Sequence, residues 1–275
     1  MERIQRALEI SRLHRAALVE TRDAAAASQG DRVLRPETSA GLTDSGREMQ
    51  RLTIDREALR RRRVVLGDES GPATHAYRML RAQVLQRARS SRMRVFGIVS
   101  AAMGEGKTLT AVNLALSLAA EPNQNVTLLD LDLRRPAVAQ TLGIAAECGV
   151  ETWLQGSAPL ASVLYELDGF PRLRVVPTLA PLAGSSEALA GSRARELLEA
   201  VRSPDSGSLT IVDLPPALLS DDVLTVAPLI DGFIFVVTER QTLRDDVERV
   251  LELLGRNRVV GTVLNGSSAS EQRAY

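Results

Sequence analysis

A chain of 275 residues accommodates one α/β domain plus an extension, and its 44% apolar content, with aromatics at only 3%, implies a core of Val, Leu, Ile and Ala. A formal charge of zero argues against a general polyanion binder, so no nucleic acid is expected as partner, and the lone Cys148 with His14 and His75 makes too small a set for a disulfide or a usual zinc site. No apolar run approaches the ~20 residues of a membrane-spanning helix, and the opening MERIQRALEISRLHR lacks a signal-peptide core, so the expected location is cytoplasmic.

The charge is unevenly distributed. Residues 1–95 hold 20 Arg against 12 Asp and Glu, whereas residues 96–275 hold 14 basic against 22 acidic residues. Residues 1–50 read as an extension: an amphipathic helix over 1–20, in which Ile4, Leu8, Ile10, Leu13 and Leu18 alternate with Arg3, Arg6, Arg12 and Arg15, then a linker without hydrophobic period. Such a basic arm on an acidic domain suits an anionic surface or an acidic partner. Leu52, Ile54 and Leu59 lead into Arg60–Arg63, read as a solvated face, and a helix is expected over roughly 73–90.

From Arg94 onward, apolar strands alternate with helices. Strands are expected at 95–100, 126–131, 173–178, 209–214, 232–238 and 259–265, with helices near 107–119, 137–142, 185–202, 221–228 and 242–255. Continuous rather than alternating apolar runs indicate strands covered on both faces, hence a doubly wound, mainly parallel sheet with its ligand at the carboxyl ends of the strands. Trp153 is read as a packing residue. The domain is expected to span 51–265, followed by a polar tail over 266–275.

The chemistry is concentrated in three places. Between the first of these strands and its helix lies Ala101-Ala-Met-Gly-Glu-Gly-Lys-Thr108, a P-loop pattern. Gly104 and Gly106 allow the tight turn that aims backbone N–H groups at phosphate, Lys107 reaches the β/γ-phosphates and the Thr108 hydroxyl suits Mg²⁺. Glu105 is counted in this cradle as a solvent-facing residue. Of 34 basic residues Lys107 is the sole lysine, a compact ammonium where every other cation is a guanidinium. VTLLDLDLRRP then places Asp130 and Asp132 near one strand end, where two residues of spacing in a strand puts both carboxylates on one face, a costly pairing unless a cation is near. LTIVDLPP ends a further strand in Asp213, the Walker B arrangement.

GEGKT, LLDLDLRRP and IVDLPP together resemble the bacterial tyrosine kinases of capsule and exopolysaccharide synthesis. With HAYRMLRAQ, VNLALSLA, FVVTERQT and VVGTVLN, the resemblance runs from about Leu52 to Asn265 and is closest to autokinases of exosortase-linked loci. It implies ATP and Mg²⁺ as cofactors, Asp130 as the base for a tyrosine hydroxyl, Asp132 and Asp213 in the metal shell with Thr108, and Asn265 as an adenine contact. It also implies a transmembrane chain-length regulator (a polysaccharide co-polymerase) as partner, a peripheral position at the inner face of the plasma membrane, and a homo-oligomer. The sequence departs from that pattern twice. The helix that makes subunit contacts usually reads Glu-x-x-Arg-x-x-Arg and here reads His75-x-x-Arg78-x-x-Arg81, and the tyrosine-rich tail is reduced to Tyr275, the candidate autophosphorylation site. Ten residues from 266 at about 3.3 Å each would reach roughly 33 Å, enough to approach a neighbouring subunit. Two other readings stay open: a partition or septum-site ATPase, which would carry a second lysine where Ala102 stands, and a regulatory ATP-binding subunit that transfers no phosphate.

Overall fold

In the computed structural model, which describes residues 49–66, 70–202 and 208–267, the apolar runs assemble into one eight-stranded sheet. Its strands are β1 (Gln50–Leu52), β2 (Val95–Ser100), β3 (Asn125–Asp130), β4 (Tyr165–Leu167), β5 (Phe170–Val176), β6 (Ser208–Asp213), β7 (Gly232–Thr238) and β8 (Val259–Asn265), in the spatial order β1-β4-β5-β3-β6-β2-β7-β8. Every pairing is parallel except β4 with β5. The helices are α1 (Arg56–Arg61), α2 (Pro72–Ser91), α3 (Lys107–Ala119), α4 (Val138–Leu142), α5 (Val150–Leu154), α6 (Ser185–Ala190), α7 (Ser192–Val201), α8 (Asp222–Val226) and α9 (Arg244–Leu254). None is long and apolar enough to cross a membrane.

The sheet is doubly wound because its central strands are apolar on both sides. Every residue of β2 is buried: Phe96 and Ile98 face the layer containing α3, while Val95 and Val99 face the layer containing α7 and α8. α3 is itself sandwiched, with Ala111, Val112, Leu114, Ala115 and Leu118 all without exposure, between the sheet and α2. Buried Asn113 ties in the segment ahead of α2 by accepting from the Val65 amide at 2.8 Å and donating to the Arg63 carbonyl at 3.3 Å. The parallel strand order places the site. From β2 the chain moves to β3 on one side, and later to β7 on the other, so the crevice opens at the carboxyl end of β2. Registers align the tips there: Asp130 pairs with Asp213, and Asp213 with Ile98.

β2, β7, β8 and α3 match their expected bounds, and the other expected strands and helices recur with shifted ends. The differences are local. The helix expected over 185–202 is two, because Gly191 takes an extended conformation between α6 and α7. The strand expected at 173–178 runs instead from Phe170 to Val176. The short edge pair β1 and β4, and helices α1 and α5, were not foreseen, being three to six residues long and too short to show a period. Trp153 is buried as expected, its indole donating to the Arg193 carbonyl at 3.0 Å while the Arg193 guanidinium stacks over its ring. Arg60–Arg63 are exposed, in keeping with a solvated face. The expected N-terminal amphipathic helix and Tyr275 lie outside the described residues.

Gly97 shows how tightly the central layer is filled. A Cβ there would stand 2.7 Å from Leu214 Cδ1 and 3.0 Å from Phe233 Cδ1, both on fully buried side chains. Gly97→Val should therefore overpack the core and cost on the order of 1–3 kcal/mol, read from the urea midpoint at unchanged slope.

Candidate functional site

The loop between β2 and α3 depends on two glycines. Gly104 and Gly106 have φ of 79° and 87°, a region that glycine enters without a Cβ penalty. At Gly106 space is also lacking, since a Cβ would fall 2.0 Å from Asn265 Nδ2. The turn delivers the first amides of α3, which has no side-chain cap, to the carboxyl end of the sheet. Uncapped N–H groups and the positive end of the helix dipole form an anion site.

Lys107 opens α3 and turns its side chain inward. Its Nζ lies 2.6 Å from Asp132 Oδ2, 3.6 Å from Asp213 Oδ1 and 3.3 Å from Thr108 Oγ1. Burial works against the ammonium, but Asp213 and Asp132 outweigh it and hold its pKa above the ordinary lysine value. The structure thus brings together Lys107 and Thr108 from the start of α3, Asp132 from the loop after β3 and Asp213 from the end of β6. Lys107, Thr108 and Asp132 line one cleft of about 440 Å³ with Met103, Gly104, Arg134, Pro215, Pro216 and Leu219, whereas Asp213 is fully buried and is not part of the lining.

The two aspartates after β3 part company. β3 ends at Asp130, so Asp132 lies beyond the strand and the expected single face is not formed. Asp132 turns to Lys107, its other oxygen accepting from the Arg135 amide at 3.0 Å. Asp130 folds back on its own loop, accepting from the amides of Asp132 at 3.1 Å, Ala137 at 3.2 Å and Val138 at 3.1 Å, and so restrains the start of α4. Fully buried, Asp130 has a pKa pushed well above the carboxylate range by desolvation and by the neighbouring Asp213 charge.

Asp213 is the unusual group. Both its oxygens are buried and neither has a close hydrogen-bond partner, the Lys107 ammonium standing 3.6 Å from Oδ1. Burial pushes its pKa up to about 6 against the pull of the Lys107 ammonium. An unsatisfied buried carboxylate is costly, and three carboxylates around one ammonium leave an excess of negative charge. That excess, the orphaned oxygens and the Thr108 hydroxyl are hard oxygen donors that fit Mg²⁺. Among the described residues, no three His, Cys, Asp or Glu side chains form a cage able to hold a metal alone. Mg²⁺ needs no such cage, since it keeps waters and binds through one or two protein groups plus substrate phosphates.

Two expectations change here. Glu105 does not face solvent: its carboxylate is buried, accepts from the Ala102 amide at 2.8 Å and from the Thr242 hydroxyl, and so pins the loop from within. It is a brace for the cradle rather than a group exposed at its rim. Asn265, at the end of β8, donates through Nδ2 to the Glu105 carbonyl at 3.0 Å, and Thr238 Oγ1 donates to the same oxygen at 3.0 Å. The phosphate loop is thus held by β7 and β8 as well as by β2. The sequence reading missed the bracing role of Thr238 and Thr242; the only hint was a glutamate set between two loop glycines. It also missed Asp221 and Asp222, which take up the Arg134 guanidinium at 2.9 and 3.1 Å.

Residues 92–273 match the family model described as ParA: NUBPL iron-transfer P-loop NTPase. The chain is 30% identical over 180 residues to the tyrosine-protein kinase CpsD of Streptococcus agalactiae, covering 64% of this chain and 76% of that protein. It is 41% identical over 116 residues to the chromosome-partitioning ATPase Soj of Thermus thermophilus, covering 42% and 43% of the two chains. Among solved structures, the kinase domain of the Escherichia coli tyrosine kinase ETK superposes with a TM-score of 0.65 at 27% identity, over 73% of this chain and 78% of that one.

The state of Asp213 has a measurable consequence. Its folded pKa, about 6, lies above its ordinary value of 3.8, so between those values the folded protein binds more protons than the unfolded one. Stability of the protein without nucleotide should therefore fall as pH rises through about 4 to 6, and Asp130, shifted the same way, adds to the slope. Asp213→Asn should raise the melting temperature at pH 7 and flatten this slope, as followed by thermal denaturation across pH.

Proposed function

Because the chain belongs to the ParA-type P-loop NTPases and, within them, to the bacterial tyrosine-protein kinases, we propose that it transfers the γ-phosphoryl group of Mg-ATP to tyrosine, regulating capsule or exopolysaccharide polymerisation and export. The observation that carries this reading is the part-buried Lys107 ammonium, 2.6 Å from Asp132 and 3.6 Å from Asp213, at the end of a glycine loop. A phosphate chain supplies the anion that Lys107 can engage in place of a carboxylate, and a divalent cation supplies the charge that the carboxylates lack.

In this reading the amides of residues 104–108 and Lys107 bind the β- and γ-phosphates. Thr108, Asp132 and Asp213 hold Mg²⁺ or its waters, and the metal, when bound, neutralises charge on the phosphate oxygens. Asp130, whose pKa burial pushes up, is the candidate base, and its reach to a tyrosine hydroxyl depends on the 131–137 loop yielding its amides. Asn265 keeps Nδ2 on the loop and offers Oδ1 to the base of the nucleotide. Gly104, Glu105 and Gly106 shape the cradle.

The chain has three tyrosines that could accept a phosphoryl group. Tyr165 has no exposed surface, and its hydroxyl donates to the Cys148 carbonyl at 3.0 Å and accepts from the Cys148 amide at 2.9 Å, which removes it as an acceptor. Tyr77 lies within α2, where a helical backbone keeps it from entering a neighbour's cleft. Tyr275 is therefore the proposed autophosphorylation site. A peripheral position at the inner membrane face, beside a transmembrane chain-length regulator contacted through the basic N-terminal arm, belongs to the same proposal. The match to Soj favours a partition-type ATPase as the second reading; Ala102 at the place of the second lysine stands against it.

Lys107→Met should weaken Mg-ATP binding by more than about tenfold, roughly 1.4 kcal/mol or more, with native circular dichroism. Unchanged affinity would remove the site assignment. Incubation of wild-type protein with Mg-ATP, followed by phosphotyrosine mapping by mass spectrometry, tests the activity itself. Mixing Lys107→Met protein as acceptor with Tyr275→Phe protein as donor should label Tyr275 of the inactive chain. Labelling of no tyrosine, even with the membrane partner present, would favour the ATP-binding subunit that transfers no phosphate.

A further inference from the structure

Arg134 bridges two loops that meet at the cleft. It sits two residues after Asp132, within the turn whose Arg135 amide orients the Asp132 carboxylate. Its Nε donates to Asp222 Oδ2 at 3.1 Å and lies 3.2 Å from Ser185 Oγ; its Nη2 donates to Asp221 Oδ1 at 2.9 Å and to Asp222 Oδ1 at 3.3 Å. Asp222 has no exposed surface, and its described side-chain partners are Arg134 and Ser185. Asp221 and Asp222 close the 214–222 segment that leaves Asp213 and carries the Pro215-Pro216 wall. The Ser186 hydroxyl holds Asp221 at 2.9 Å, so α6 joins the same cluster.

We propose that Arg134 is a positioning residue, a guanidinium clamp that fastens the loop bearing Asp132 to the segment following Asp213 and thereby fixes both carboxylates beside Lys107. The catalytic consequence rests on the kinase reading; the structural consequence does not. The fork geometry matters here. Several parallel N–H donors meet two carboxylates at once, which a single ammonium cannot reproduce. Removing Arg134 also strands the buried Asp222 charge, so both loops should loosen together. Carboxylates displaced by an ångström act on the reacting phosphate rather than on nucleotide capture, which the glycine loop and Lys107 perform.

The test uses the full chain and two readouts. In steady-state tyrosine phosphorylation, Arg134→Gln and Asp222→Asn should each lower kcat by about tenfold or more with KM for ATP within about threefold. Arg134→Lys should restore only part of kcat, and the double variant should be no worse than either single one. Independently, hydrogen exchange of peptides covering 131–138 and 214–222 should accelerate in both segments in every variant. Exchange unchanged in either segment overturns the clamp. Wild-type turnover in Asp222→Asn with loss in Arg134→Gln also overturns it, because Arg134 would then act directly on phosphate. If wild-type protein labels no tyrosine, the kinase reading fails, while the exchange measurement still decides the clamp.

Discussion

The placement of one ammonium among buried carboxylates organises this molecule. Lys107 is drawn inward by Asp132 and Asp213, and those carboxylates are tolerable in the interior only because Lys107 is there. Burial raises the proton affinity of Asp130 and Asp213, and the ammonium restrains both. The cluster is stable enough to exist yet carries more negative charge than its single cation balances. A site so composed is prepared for a further cation, and the amides beside it for an anion.

Each structural feature around the cluster serves that arrangement. The parallel sheet brings the ends of β3 and β6 level, with Asp130 beside Asp213, and the switch in strand order opens space at the end of β2. Gly106 lets the chain reverse within one residue, and its missing Cβ leaves room for Asn265. Glu105, Thr238, Thr242 and Asn265 fix the loop from the β7–β8 side, while Asp130 restrains the start of α4 on the other. The phosphate loop is thus braced from the β7–β8 side, and the neighbouring 131–138 segment is held by its own carboxylate.

α2 carries the stretch in which this sequence departs from the Glu-x-x-Arg-x-x-Arg pattern. Arg81, one of the two arginines in that motif, donates to the Ser117 carbonyl at 3.1 Å and pairs with Glu121 at 2.9 Å, so its guanidinium is committed to α3 within the chain. With His75 at the acidic position, this helix differs in charge from the pattern it resembles.

The sequence alone determined the features that depend on local pattern. Unbroken apolar runs such as VFGIVS imply strands buried on both faces, and the spacing of Gly104, Gly106, Lys107 and Thr108 implies a phosphate loop at a strand–helix corner. These were legible because hydrophobic period and turn chemistry are properties of neighbouring residues. Tertiary structure decided what depends on residues far apart in the chain. Glu105 looks like a surface residue until Thr242, 137 positions later, arrives to receive it. Asp130 and Asp132 look equivalent until the chain turns after β3 and sends one to its own amides and the other to Lys107. Arg134 gains its partners only when α8 docks 87 and 88 residues downstream. A side chain's charge and shape are written in the sequence, but burial and partner, which set its proton affinity and its role, exist only once distant segments have been brought together.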